Sequence, residues 1–441
     1  MRGRPRAGLA ASIYPLCMGH LLLLVYSALA PVLAGLYAVF FFFSPRRSLM
    51  KALGGELKER LAFSPPSFPS RPVWIHAASM GEVKAVSKLA PELAALLKAP
   101  LLMTSSTAAG KSEAARLGAE ARLAPLDFYP LAAAFIKQTK PVILVLVETE
   151  IWPATLYAAA NAGVPVFMVN ARLSPRTAAL YRALGPFSRL AFSGVKQVLA
   201  QTEQDAERFR LLPGLKDKVS VTGNLKYDLL GASAAGQDKV KEFLEASDWG
   251  TSPVFTAGST HPPEEPIVIS AWLEAKKRIP ALKLVLVPRH PEKLTGTEAV
   301  LKSQATPYMR WSDTVVPEQT DCLLVDAMGL LQAFYAISTV CFVGGTLDDT
   351  GGHNLLEPAL FVKPALFGPN YKNARHAGDT LINKKGGFLT ETAPQMAEAI
   401  IRLLTDHAAL NEARINSAKA LFTLKGATAK TVAAISTAAP Y

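Results

Sequence analysis

Carboxylates and cations stand directly behind apolar runs at several points of this 441-residue chain, where a buried strand would hand over to a loop. Behind Val73–His76 come Ser79 and Glu82. Ser-x-x-Glu is the spacing of a helix capping box, in which serine caps the helix and glutamate bonds back to the serine amide. The same glutamate, on a glycine-containing turn, has the chemistry of a general base for a hydroxyl. Behind Val142–Val147 come Glu148 and Glu150, two carboxylates that would raise each other's pKa in one shared site or simply face solvent apart. Arg172 follows the run Val164–Asn170 and Lys226 follows Val219–Thr222, and cations at neighbouring strand ends suit an anion.

The second half repeats the pattern with a different chemistry. Gly258-Ser259-Thr260-His261-Pro262 reads as a turn into a helix whose first amides would meet a phosphate. Arg289 follows Leu282–Val287, and Asp326-Ala327-Met328-Gly329 follows Cys322–Val325. Behind Thr339–Val343 lie Gly344-Gly345 and then Gly351-Gly352-His353-Asn354, with Asn354 expected to cap a helix and Glu357 to reach ribose hydroxyls. There is neither a GxGxxG after the first run nor a GxxxxGK[ST] anywhere, which excludes the usual dinucleotide and P-loop signatures. His76, His261, His290, His353 and His376 lack metal-binding spacing, and Cys17, Cys322 and Cys341 lie too far apart for a CxxC site. The expectation is no metal, and buried, reduced thiols.

These side chains need a scaffold. Short apolar runs alternate with amphipathic stretches from a proline-rich joint at residues 64–72 to about residue 410, the pattern of α/β folds. About five or six strands fall in each half, with a linking region near residues 228–253, so two doubly wound parallel sheets facing a cleft are expected. Charge is unevenly placed. Residues 1–230 hold 27 basic and 14 acidic side chains and residues 231–441 hold 20 and 21, so the first half should meet something anionic. Acids at the strand ends would repel a phosphate track, which argues against nucleic acid. Leu21–Phe43 is an uncharged apolar run that, as a helix of ~1.5 Å rise per residue, would be about 34 Å long, enough to span a bilayer core of ~30 Å. It ends in phenylalanines followed by Arg46 and Arg47, unlike a cleaved signal peptide, and the flanking basic residues lean toward a cytoplasmic body. Pro15 and Pro31 leave open an interfacial, monotopic element.

The segments WIHAASMGEV, LVETEIWPA, NARLS, TGNLKYD, AGSTHPPEE, LVPRHPE, DAMG, FVGG and GGHNLLEPA, in this order, closely resemble the Kdo transferases, over about residues 45–420. The resemblance implies an inverting glycosyltransferase of GT-B type: two Rossmann-like domains behind an N-terminal membrane anchor. It would move 3-deoxy-D-manno-octulosonic acid (Kdo) from CMP-Kdo to the lipid A precursor (lipid IVA) at the cytoplasmic face of the inner membrane, with phospholipid as its surroundings. The implied organisation is anchor 1–44, acceptor domain 45–231 and CMP-sugar domain 232–441, with 426–441 a terminal helix of the kind that in many GT-B proteins crosses back to the first domain. Carried over by motif, Glu82 is the base, Glu148 and Lys226 assist the transition state, and Pro288, Arg289, Met328, Gly329, Leu330, Asn354, Leu355, Leu356 and Glu357 hold CMP. No cofactor is implied. The family usually carries an acid after the Met-Gly of its DTMGEL-like segment, where this chain has Leu330; a backbone contact there would survive the change.

Overall fold

The computed structural model describes residues 19–29, 56–63, 65–247, 249–313 and 320–439. The chain divides into two compact units, the first running to Leu229 and resuming at Lys425, the second covering Leu230–Leu424.

Unit 1 is built on seven strands: β1 (Val73–His76), β2 (Leu101–Ser105), β3 (Glu120–Leu123), β4 (Ile143–Val147), β5 (Val166–Ala171), β6 (Val195–Ala200) and β7 (Val219–Val221). Their order is β3-β2-β1-β4-β5-β6-β7, every pair parallel. The central strands are apolar on both faces because helices cover both. Trp74, Leu102, Leu144 and Leu146 feed one core, while Val73, Ile75, Met103, Val145 and Val147 feed the other. The chain crosses from one side of the sheet to the other between β1 and β4, so the loops after these two strands flank the switch point, where ligands of open α/β sheets bind.

Unit 2 repeats the plan with β8 (Val254–Thr260), β9 (Lys283–Pro288), β10 (Met309–Arg310), β11 (Cys322–Leu324), β12 (Val340–Val343), β13 (Ala365–Phe367) and β14 (Gly387–Leu389). The order is β10-β11-β9-β8-β12-β13-β14, again parallel throughout, with the switch point between β8 and β12. Cys322 and Cys341 are free thiols buried in β11 and β12. Burial pushes both up, Cys341 to about 12, so they stay protonated core side chains. Cys17 lies outside the described residues.

The sequence expectation counts 426–441 within the second domain's range, as a terminal helix of the kind that crosses back to the first. In the structure the chain from Lys425 onward belongs to unit 1. Asp228 is the physical reason: its carboxylate accepts hydrogen bonds from the Gly426 and Thr428 amides, both 2.6 Å, and so caps the helix Ala427–Ala438. Gly426 supplies the left-handed turn before that helix, at φ +94°. Of the expected anchor, residues 19–29 are helical and pack through Leu23 on Phe187 and Leu190, and the Tyr26 hydroxyl donates to Asp127 at 2.8 Å. The rest of residues 1–44 lie outside the described residues, and among those described no helix is long and apolar enough to cross a membrane.

Candidate active site

Beyond the carboxyl end of β1 the chain turns at Ser79 into the helix Met80–Ala85. The capping box forms, displaced by one residue. The Ser79 hydroxyl accepts from the Glu82 amide at 3.3 Å and donates to Glu82 Oε1 at 3.1 Å, while Glu82 Oε2 accepts from the Ala78 amide at 2.6 Å, not from that of Ser79. Glu82 is therefore a structural cap and a candidate base at once. Burial raises its pKa, the Ala78 bond lowers it, and Glu150 and Glu148 raise it again, with a net upward shift.

The paired acids after β4 do not share one site. Glu148 sits in the left-handed region at φ +62° and forms an ion pair through Oε1 with Lys226 Nζ at 2.8 Å. Glu150 turns the other way. Its Oε2 accepts from the Trp152 indole at 2.6 Å and lies 3.5 Å from His76 Nε2. Burial pushes Glu150 up, but His76 and Trp152 outweigh it and the net shift is downward. The Thr104 hydroxyl, accepting from the Trp74 indole at 2.9 Å, has its own proton to give His76 Nδ1 at 3.0 Å, which leaves the N–H of a neutral ring on Nε2, the side of Glu150. An ionised Glu150 is thus built into the site, and its charge helps keep a proton on Glu82 to higher pH.

Lys226 is positioned by residues that sequence reasoning passed over. Asn170, fully buried at φ +51°, accepts from the Leu225 amide through Oδ1 at 3.0 Å and donates to Glu148 Oε1 at 3.4 Å. Gln201 donates to the Asn170 carbonyl at 2.9 Å and accepts from Asn224 at 3.2 Å, and Asn224 accepts from the Lys226 amide at 2.9 Å. Asparagine tolerates the left-handed region better than most residues; that tolerance is the signal that could have singled out Asn170. Arg172 is exposed, and the ion pair at these strand ends joins Lys226 to Glu148 without it.

In unit 2 the expected phosphate turn is already occupied. Glu264, fully buried, takes the helix N-terminus after β8. Its Oε2 accepts from the amides of His261 at 3.1 Å and Gly345 at 2.7 Å, and its Oε1 from those of Thr346 and Leu347, both 2.8 Å. The glycine turn after β12 is an anion nest filled by the protein's own carboxylate. Of the Gly258–Pro262 turn, where amides aimed at a phosphate are expected, the His261 amide is spent on this carboxylate.

Of the residues implied to hold CMP, Pro288 ends β9 and is buried, and Arg289 follows it, exposed. Met328 is 70% exposed and Gly329 has φ +85°, whereas Leu330 lies in the core beside Val240 and Phe334. An acid at 330 would have no place in this packing, so only the backbone there is open to a ligand. Leu355 and Leu356 are likewise fully buried. Asn354 caps no α-helix; its Oδ1 accepts from the Leu356 amide at 3.3 Å in a turn leading to the 3₁₀ segment Pro358–Phe361. Its amide donates to Glu357 Oε1 at 3.3 Å. Burial raises the pKa of Glu357, against the opposing pull of Asn354 and Arg289, so Arg289 and Glu357 face one field. Among the described residues no group of three or more His, Cys, Asp or Glu side chains comes together as a metal site.

Residues 55–229, which hold Glu82, Glu148 and Lys226, match the family model of the 3-deoxy-D-manno-octulosonic-acid transferases (kdotransferase). The 3-deoxy-D-manno-octulosonic acid transferase of Haemophilus influenzae is 31% identical over 348 residues, 76% of this chain and 80% of that protein. The chain belongs to the Kdo transferase family. It is a glycosyltransferase. A bifunctional glycosyltransferase/methyltransferase of Fusobacterium nucleatum is 30% identical over 336 residues, 74% of this chain; the match spans only about half of that relative, 52% of its length. The fold is shared with the UDP-GlcNAc 2-epimerase of Neisseria meningitidis, at TM-score 0.53 and 16% identity over 83% of this chain and 99% of that one. That likeness concerns the two-sheet GT-B-like architecture alone.

Proposed function

We propose that this Kdo transferase takes Kdo from CMP-Kdo and transfers it with inversion to the lipid A precursor, lipid IVA, at the cytoplasmic face of the inner membrane. The observation that carries the reading is the setting of Glu82. Its carboxylate is fixed by Ala78 and Ser79, and burial, then two neighbouring acids, raise its pKa. A base tuned upward accepts a proton from an attacking hydroxyl more readily than an ordinary surface carboxylate. In this reading the acceptor hydroxyl attacks the anomeric carbon as its proton passes to Glu82, and the bond to the CMP phosphate breaks with its electron pair leaving on the phosphate. Glu148 and Lys226, joined as an ion pair, favour the cationic sugar and the departing anion. Pro288, Arg289, the backbone at 328–330, Asn354 and Glu357 hold CMP, with Leu355 and Leu356 shaping that wall from the core. The reaction as proposed uses no metal or cofactor. The basic first half and residues 1–44 hold the protein on the anionic leaflet that carries the acceptor, where each nearby Lys or Arg contributes about 1 kcal/mol.

Mass spectrometry of tetraacylated lipid A precursor, incubated with the detergent-solubilised protein and freshly generated CMP-Kdo, tests this. A mass increase of one or more Kdo units is expected. An unchanged acceptor, with the donor intact and an authentic transferase active in parallel, would remove the donor–acceptor assignment.

A further inference from the structure

At the switch point of unit 2, two imidazoles from different strand ends meet. His261 follows β8 and His353 follows the loop after β12. Their Nε2 atoms are 2.8 Å apart, and the rings lie nearly parallel, 13° between planes with centroids 5.1 Å apart. A contact that short between two ring nitrogens needs one proton between them, so one Nε2 donates and the other accepts. Asp348 Oδ2 lies 3.8 Å from His261 Nδ1, which favours the tautomer of His261 that carries its proton on Nδ1. His261 Nε2 is then the acceptor, His353 Nε2 the donor, and the Nδ1 lone pair of His353 is left for another proton. The backbone is built to allow this edge-to-edge contact. Gly345 has φ +70°, and a Cβ there would stand 3.0 Å from His353 Cδ2 and 3.1 Å from Nε2. That edge of the ring lies against Gly345, and the Nδ1 edge faces away from it.

The charges around the pair are mixed but tilt positive. His353 feels Arg289 and His290, the two residues behind β9, as well as His261, with Asp348 opposing them. Glu264 spends both oxygens on backbone amides, and Glu265, which feels His261, accepts from Thr260 at 3.1 Å. Lys372, on the neighbouring segment, donates to the Asp349 carbonyl at 3.2 Å. Burial first, then His261, Arg289 and His290, hold His353 down at about 4 in the free protein, so it is neutral at physiological pH. An anion bound beside Arg289 would reverse that balance.

We propose that the His261–His353 pair, set by Asp348, is a proton-accepting element of the donor-phosphate site, and that binding of a nucleoside monophosphate is accompanied by uptake of one proton onto His353 Nδ1. The inference rests on the reading that unit 2 binds CMP. A CMP-sugar carries one charge on its phosphodiester and released CMP carries close to two, so an imidazolium that forms as charge accumulates stabilises the departing group more than the bound donor. His353 contacts the phosphate in this account; His261 and Asp348 are positioning residues that fix its tautomer.

Titration calorimetry of the full-length, detergent-solubilised protein with CMP at pH 7.5, in buffers of different ionisation enthalpy, reads the proton directly. Free CMP is already close to fully ionised there, given a second phosphate pKa of about 6, so it has no proton to release, and His353→Gln separates uptake on the imidazole from uptake on the phosphate. The expected result is uptake of a substantial fraction of a proton by the wild type and none by His353→Gln, with CMP affinity lowered about tenfold in the variant. Between the pKa of free His353 and that of the complex, wild-type affinity falls by at most about tenfold per pH unit, and above the value in the complex it levels off. His261→Phe reduces the uptake without abolishing binding, and cytidine, lacking the phosphate, binds with none. CMP binding whose heat is independent of buffer in the wild type overturns the proposal and leaves the CMP site standing. Absence of any CMP binding by the wild type removes the CMP reading itself, and the proposal with it. Should His353→Gln not fold, His261→Phe decides: uptake unchanged from the wild type overturns the proposal.

Discussion

Glu82 and Glu264 occupy corresponding places: each is the first acid behind the first strand of its sheet, at the start of the following helix. Glu264 is fully buried and satisfied by four backbone amides, two on each oxygen. Glu82 is partly exposed, has one amide and one hydroxyl, and faces two further acids that raise its pKa. One position thus serves structure in one unit and chemistry in the other. What separates them is coordination. A carboxylate whose two oxygens are spent on four buried N–H donors ties a loop together, whereas one with few donors and like-charged neighbours is open to exchange a proton with a ligand.

The sharpest way to break the comparison is Glu82→Gln. The side chain keeps its shape and an oxygen for the Ala78 amide, so the helix start survives; Kdo transfer should fall by roughly 10²–10⁴ while CMP affinity is unchanged. Stability should be equal or higher near neutrality. A carboxyl whose folded pKa is raised binds more protons folded than unfolded from the ordinary carboxylate range up to the raised value, so ionised Glu82 lowers stability above that window. Activity within a few-fold of wild type would make Glu82 a cap like its counterpart. Glu264→Ala should give the opposite signature. It strands four buried amides and loosens the glycine loop, for a loss of more than about 3 kcal/mol read from urea unfolding. An unmoved unfolding midpoint would mean the nest closes on water and does not depend on the carboxylate.

Eleven of the fourteen strands were legible as apolar runs, and the three passed over explain the rest. Glu120–Leu123, Met309–Arg310 and Gly387–Leu389 are edge strands of two to four residues with partly exposed side chains, so no apolar run marks them. The site divides the same way. Glu82, Glu148 and Lys226 stand beside glycine or behind runs and could be picked out, and the structure brings Glu148 and Lys226 into contact. Nothing local marks the acid that fills the nest at Gly345, because it comes from about 80 residues upstream. Leu330 was open to a reading as a ligand residue because a core side chain and a contact residue look alike until packing against Val240 and Phe334 is seen. Glu148 and Glu150 appeared as a pair by spacing, but the left-handed backbone at Glu148 sends them to different partners.

That divergence gives the finest test. His76 and Trp152 hold Glu150 ionised, and its charge is the first acidic neighbour to raise Glu82. Glu150→Gln removes this charge while retaining an oxygen for the Trp152 indole, so Glu82 should lose its proton at lower pH. Because the base works only when deprotonated, the transfer rate rises with pH through the pKa of Glu82, and that acid limb should move downward by a fraction of a pH unit with the plateau little changed. Glu148 still raises Glu82 in the variant, so the shift is partial. An acid limb that stays in place or moves upward would mean that Glu150 acts on His76 alone, and that burial, not the pairing of acids, raises Glu82.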